Sequence, residues 1–204
     1  MNVIITPFEE VVAFHGHKCP GLAIGYRAAE AALGELGAGR PEDEELVAIV
    51  ENDACGVDAI QYVTGCTLGK GNLIFRDYGK HVYTIINRRT GEAVRVAERP
   101  DFSLERIDAR SGELRRKVTA GTASADEERE FRDRMDKMIE TILSMPAEEI
   151  FTICPTEVEI PEKARLFRSL PCAGCGEMVS ESRARVQEGK IVCIPCFEQY
   201  SRGW

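Results

Sequence analysis

The chain has 204 residues, of which 44% are hydrophobic, 7% aromatic and 29% charged, with a net charge of -8; this excludes disorder and leaves enough chain for one sizeable core and a small appended module. Residues 1–161 carry a net charge of -10 and residues 162–204 one of +2, which argues against a nucleic-acid-binding body, because phosphate neutralisation needs clustered Lys and Arg. No run approaches the ~18 apolar residues of a membrane helix, and MNVIITPFEE has no basic stretch leading into an apolar one, so the expectation is a soluble, cytoplasmic protein that does not meet a membrane.

Thr6-Pro7-Phe8-Glu9 predicts a helix start, with Thr6 as the cap, Pro7 in the first helical position and Glu9 closing a capping box. That helix should stop near His15 or Gly16. Cys19 precedes Pro20, which disfavours the α conformation, so residues 15–20 read as a loop. Leu22, Tyr26, Ala29, Leu33 and Leu36 then recur at spacings of four and three, giving an amphipathic helix that Gly37 can end. Leu46 to Val50 is an apolar run of strand length, and a short helix is expected from Val57 to about Val63. Leu73–Asp77, His81–Ile86 and Glu92–Ala97 follow as strands, the last two joined by turn residues 87–91. Asp126 to Met145 carries Phe131, Met135, Met138, Ile142 and Met145 on one face, is closed by Pro146, and reads as a helix with methionine as core filler. Glu149 to Pro161 reads as a last strand and an exit linker. The expected class is α+β: a mixed sheet with packed helices over residues 1–161, followed by a small zinc-ribbon or treble-clef module over residues 162–204.

Eight cysteines are too few for a disulfide scaffold in a chain of this length, and their clustering is that of metal-binding thiols in a reducing compartment. Cys172-x-x-Cys175 is separated by 17 residues from Cys193-x-x-Cys196; four thiolates at about 2.3 Å satisfy tetrahedral zinc with no open position. Met178–Val186 and Lys190–Val192 predict a hairpin around Glu188-Gly189, with a helix starting at Phe197-Glu198-Gln199-Tyr200. So short a module cannot bury enough core alone, and the metal should supply its folding free energy.

A second group gathers around His15-Gly16-His17-Lys18-Cys19-Pro20. His17 and Cys19, two apart in an extended segment, point the same way, and Cys55 at a strand-to-helix junction can supply a third ligand, its thiolate favoured by the positive helix end. Three such donors leave a fourth position for water or substrate, on an ion close to zero formal charge. His15 and Cys66 are alternative ligands, although a packed histidine and a small buried apolar cysteine are the plainer readings, and His81 reads as structural. A metal-free alternative has Cys55 as nucleophile with a histidine base. Lys70, in Thr67-Leu68-Gly69-Lys70-Gly71-Asn72, could pair with an anionic ligand or simply belong to a turn; no P-loop is present. The catalytic candidates are therefore Cys55, His15 and Lys70.

Phe14-His15-Gly16-His17-Lys18-Cys19-Pro20-Gly21, Asp53-Ala54-Cys55-Gly56-Val57-Asp58-Ala59-Ile60-Gln61 and Thr64-Gly65-Cys66-Thr67-Leu68-Gly69-Lys70-Gly71-Asn72 together resemble the FmdE family, named for one of the subunits of formylmethanofuran dehydrogenase. The closing cysteine pairs are similar to the zinc-finger tail of many members. The resemblance implies an α+β domain with a metal site around the His-x-Cys motif plus a separate zinc ribbon. It does not imply formylmethanofuran chemistry here, since the sequence shows no molybdopterin domain and no ferredoxin-type cysteine run.

Two functions compete. In one, an open site holding zinc or another divalent transition metal serves an accessory subunit or metal-dependent enzyme of one-carbon or molybdenum/tungsten metabolism, with a small-molecule ligand and a larger enzyme complex as partners. In the other, both metals are structural and the tail docks a protein or nucleic acid. Whether Cys66 closes the first site separates them. The Met/Phe stripe suggests a homodimer.

Overall fold

A computed structural model describes residues 5–203. They fall into two compact units, Met1–Lys163 and Ala164–Trp204.

The first unit opens with α1 (Phe8–His15), one residue later than the capping box predicts. Pro7 has ψ 143°, so it stays extended and becomes the N-cap, with no side-chain cap bond. Gly16, at φ 93°, ends the helix in the left-handed region that glycine adopts without a Cβ penalty. After a short extended link, α2 (Pro20–Leu36) starts with Pro20 at its first position and stops at left-handed Gly37.

Five strands form one mixed sheet: β1 (Leu46–Val50), β2 (Leu73–Phe75), β3 (Val82–Asn87), β4 (Ala93–Glu98) and β5 (Phe151–Pro155), in the order β2-β1-β3-β4-β5. Only β1 and β2 pair in parallel, through the crossover helix α3 (Gly56–Thr64); the other pairs are antiparallel. β1 is buried throughout because both its faces are covered. Leu46, Ala48 and Val50 join the main core with Leu22, Ala29 and Ile60, whereas Val47 and Ile49 meet Ile86 and Ala93, with Val158 of the exit segment packed on them. The Arg88 guanidinium ties that segment down by donating to the carbonyls of Pro161 and Glu162.

Between β4 and β5 lie two helices that no apolar periodicity announces, α4 (Leu104–Ile107) and α5 (Ala109–Thr119), capped by Ser103 and Asp108. They precede α6 (Ala125–Ser144) and α7 (Ala147–Ile150). Ser124 and Glu127 form a reciprocal capping box on α6. Met138, Ile139 and Ile142 are buried in the main core and Met135 and Met145 pack against it. The apolar stripe that suggested a homodimer is thus largely used inside the chain, which removes the argument drawn from it. Among the described residues, no helix is long and apolar enough to cross a membrane.

The second unit is two hairpins. β6 (Ser169–Pro171) pairs with β7 (Met178–Ser180), and β8 (Arg185–Gln187) pairs with β9 (Lys190–Val192) around Glu188 and Gly189, both at positive φ. The single strand expected from Met178 to Val186 is broken by a 3-10 turn at Glu181–Arg183. The helix expected at Phe197 does not form: the chain makes a 3-10 turn at Ile194–Cys196 and continues without regular secondary structure. That is a ribbon outline, without the helix of a treble clef.

Candidate metal centre

Four donors from three points of the chain meet in the first unit. The ligand atoms of His15, His17, Cys19 and Cys55 lie within 4.8 Å of one another. Local sequence explains part of this. Gly16 turns the chain out of α1, Cys19 is held extended at φ -150° before Pro20, and its Sγ caps α2 by accepting from the Leu22 amide at 3.4 Å. Cys55 stands at the N-cap of α3, after an Asn52 side chain that accepts from the Ala54 amide at 3.1 Å. Both thiols therefore sit at helix N-termini, and the Leu22 amide donated to the Cys19 sulfur favours its thiolate. Burial works the other way and pushes the Cys19 thiol up. A divalent cation between the sulfurs would resolve that conflict.

Tertiary packing supplies the rest. α2 and α3 cross at Gly25 and Gly56, and this close approach sets Cys19 beside Cys55. His15 comes from the last turn of α1 with its side chain only 10% exposed. Its Nδ1 lies 2.7 Å from Asp58 Oδ2, and Asp58 also accepts from Gln61 at 3.3 Å. With Nδ1–H donating a hydrogen bond to that carboxylate, Nε2 keeps its lone pair, and Nε2 is buried with no hydrogen-bond partner. A carboxylate on one imidazole nitrogen and a free lone pair on the other is the arrangement of metal-ligating histidines.

Cys66 is not brought to this group. It is fully buried in the main core, its amide donates to the Thr64 hydroxyl, and burial pushes its thiol up to about 11. Helix length is the reason: Cys55 precedes α3 and Cys66 follows it, roughly 16 Å away at 1.5 Å per residue. The fourth side chain in the group, beside His17, Cys19 and Cys55, comes from His15 instead. Lys70 points to the Asp43 carbonyl at 3.4 Å, and His81 pairs with Glu98 at 3.3 Å. Asp58 carries no signal in the sequence, since nothing local marks an acid in the first turn of α3 as the partner of a histidine 43 residues earlier.

Beside the group lies a cleft of about 450 Å³, lined by His15, Cys55, Asn52, Asp53, Asp58 and Gln61 and by the apolar Val50, Val57, Leu68, Leu73 and Phe75. A larger hollow of about 550 Å³ lies under α4 and α7, but it holds none of these groups, and its Arg99 is paired with Asp101.

In the second unit Cys172, Cys175, Cys193 and Cys196 likewise bring their sulfurs within 4.8 Å of one another. Backbone amides of Cys175, Cys193 and Gly174 lower the Cys172 thiol to about 6, whereas Cys196, facing three other sulfurs, is pushed up to about 12. Four thiolates cannot coexist without a cation, and the donor set is that of structural zinc.

Residues 14–152 match the family model described as FmdE, molybdenum formylmethanofuran dehydrogenase operon, and residues 165–202 match the prokaryotic dksA/traR C4-type zinc finger. A curated relative from Archaeoglobus fulgidus, named a probable S-adenosyl-L-methionine-binding protein, is 33% identical over 194 residues. The alignment covers 92% of this chain and 51% of the relative, so the chain spans about half the length of that protein. A crystal structure of a tungsten formylmethanofuran dehydrogenase FmdE-like protein from Syntrophus aciditrophicus is similar at a TM-score of 0.60 and 25% identity, covering 96% of this chain and 94% of that one.

Proposed function

We propose, from the premise that the chain belongs to the FmdE family and ends in a C4-type zinc finger, that its first unit holds one divalent transition-metal ion on His15, His17, Cys19 and Cys55 and sets it beside a small-molecule site. The tail holds a structural zinc ion on Cys172, Cys175, Cys193 and Cys196. The observation that carries the reading is the buried, unpartnered Nε2 of His15, fixed by Asp58 among three further soft or borderline donors. Zinc suits two thiolates and two imidazoles, and cobalt or nickel would be accepted in its place.

When bound, such an ion supplies Lewis acidity, moderated because two thiolates cancel its formal charge. The residues divide the other work. Asp58 orients His15, the two helix N-termini stabilise Cys19 and Cys55, and the cleft beside Cys55 admits a ligand. With four protein donors a tetrahedral shell is full, which favours binding and presentation of a ligand over attack by a metal-held water. The description of the family and the name of the Syntrophus aciditrophicus protein support an accessory role to a molybdenum or tungsten enzyme of one-carbon metabolism. The name of the Archaeoglobus fulgidus protein makes S-adenosyl-L-methionine the first ligand to try.

The test is metal stoichiometry with the cobalt(II) spectrum. The full chain should carry about two ions, and Cys55→Ser should lose one together with thiolate-to-cobalt absorption, leaving the tail ion in place. Unchanged metal content would overturn the assignment.

A further inference from the structure

The four side chains of the first group are not held equally. His15 donates from Nδ1 to Asp58 and is almost enclosed. Cys19 is fixed by an extended backbone before Pro20 and by the Leu22 amide on its sulfur. Cys55 stands at the N-cap of α3 and packs on Gly21 of α2, where a Cβ would lie 3.5 Å from its own. His17 has none of these supports. It is exposed, and among the described residues neither of its ring nitrogens has a hydrogen-bond partner. Its ring contact is a tilted stack on His15, with centroids 4.4 Å apart. The chain around it adds little: residues 16–19 lie outside any helix or strand, and Lys18 is tied to Asp136 at 3.4 Å by an exposed ion pair of a kind that contributes little. Metal-ligating histidines as a rule give their second ring nitrogen to a carboxylate, a carbonyl or water, which fixes the ring and raises its basicity. Within the chain, His15 has such a partner and His17 does not.

We propose that His17 is the exchangeable donor of the first site: His15, Cys19 and Cys55 hold the ion, and His17 turns out into solvent to give its place to a sulfur or nitrogen atom of an incoming small molecule. The inference rests on the proposed metal site and says how a shell filled by the protein admits a ligand. The swap is close to balanced, because the departing imidazole regains hydrogen bonds to water at both nitrogens while the entrant keeps the coordination number at four. His17 lies outside the lining of the adjoining cleft, so its departure leaves those walls as they are. The tail group offers no such donor. There Cys172 alone accepts from the amides of Gly174 and Cys193, and all four donors are sulfurs set in tight turns.

The test compares the full chain loaded with cobalt(II) with its His17→Ala and His15→Ala variants. His17→Ala should keep about two ions per chain, with chelator competition placing the first within about tenfold of the parent, whereas His15→Ala should weaken it about a hundredfold or more. Imidazole added to the cobalt form of His17→Ala should move its d–d bands back toward those of the parent, because it refills the vacated position; the tail, with four sulfurs and no open position, should not respond. In the unsubstituted chain a small thiol, 2-mercaptoethanol, should displace His17 and strengthen thiolate-to-cobalt absorption, an arm that needs no variant. Loss of the first ion from His17→Ala as complete as from His15→Ala, or a cobalt spectrum that answers to neither imidazole nor thiol, would overturn the inference with the metal site intact. A parent chain that holds only the tail ion would sink the metal assignment itself and the inference with it.

Discussion

Gly25 on α2 faces Gly56 at the start of α3 so closely that a Cβ on Gly25 would lie 2.3 Å from the Cα of Gly56. No side chain can be accommodated there without the helices moving apart, because the obstructing atoms are backbone. Gly25→Ala should therefore cost about 1–3 kcal/mol or more of stability and should weaken metal binding at the same time, since Cys55 rides on the displaced helix. Urea unfolding together with chelator competition checks both; a stable variant with unchanged affinity would show that the crossing does not set the site.

Asp58→Asn removes the negative charge behind His15 while keeping the size of the side chain. The expected outcome is a 10- to 100-fold loss of affinity for the first ion, roughly what such outer partners contribute elsewhere, with thermal stability little altered. An affinity equal to that of the parent would mean that His15 is not a ligand.

For the tail, Cys193→Ser should release its zinc and abolish amide protection after residue 164, while protection in the sheet of the first unit persists. The reason is that metal and fold are one equilibrium in a module whose strands are three residues long. Hydrogen exchange on the full chain reads both units at once, and retained protection in the tail would contradict the expectation.

Acid should loosen the α5–α6 pair. Arg134 beside Asp108, Lys117 beside Glu127 and Arg134 with Arg110 beside Glu130 hold these carboxyls below their ordinary values, Glu127 at about 2. Groups depressed on folding stabilise the native state above the ordinary carboxylate range and lose that contribution as pH falls through their folded values. The urea midpoint should accordingly drop between about pH 5 and pH 2, less steeply in Glu127→Gln and in high salt, because the pairs are exposed. An identical pH dependence in that variant would exclude the pair as a source.

The parts of this molecule legible in its sequence are those written in neighbouring residues. The Cys-x-x-Cys pairs, the His17/Cys19 alternation, the glycine that ends α2 and the continuous apolar run of β1 each carry their own signal. Setting Cys66 aside was within reach as well, because nine residues of helix must separate it from Cys55. His15 as fourth donor was visible only as an alternative, for its role depends on Asp58 and on the packing of α1 against α3. α5 gave no apolar rhythm because ion pairs with α6 join the burial of Leu114 and Ser111 in holding it. The tail helix failed to appear because Phe197 leaves the 3-10 turn in an extended conformation, at ψ 120°, and the Glu198 amide donates to the Gln187 side chain at 2.8 Å.

The parallel pairing of β1 with β2 orders events in time. Such a pair can close only after its crossover helix has been laid across the sheet, and Cys55 is the residue from which that crossover departs. Its neighbours in the donor group come from the end of α1, the link after it and the N-cap of α2, so the proposed first ion would have nothing to bind until the long-range contacts exist, and those are the slow ones. At the proposed first site uptake would be a late event on a finished scaffold, whereas in the tail uptake would be the folding event itself. Under zinc starvation the two halves should meet different fates: a body that persists without its ion and can be reloaded, and a C-terminal ribbon that unravels and is trimmed by proteases first.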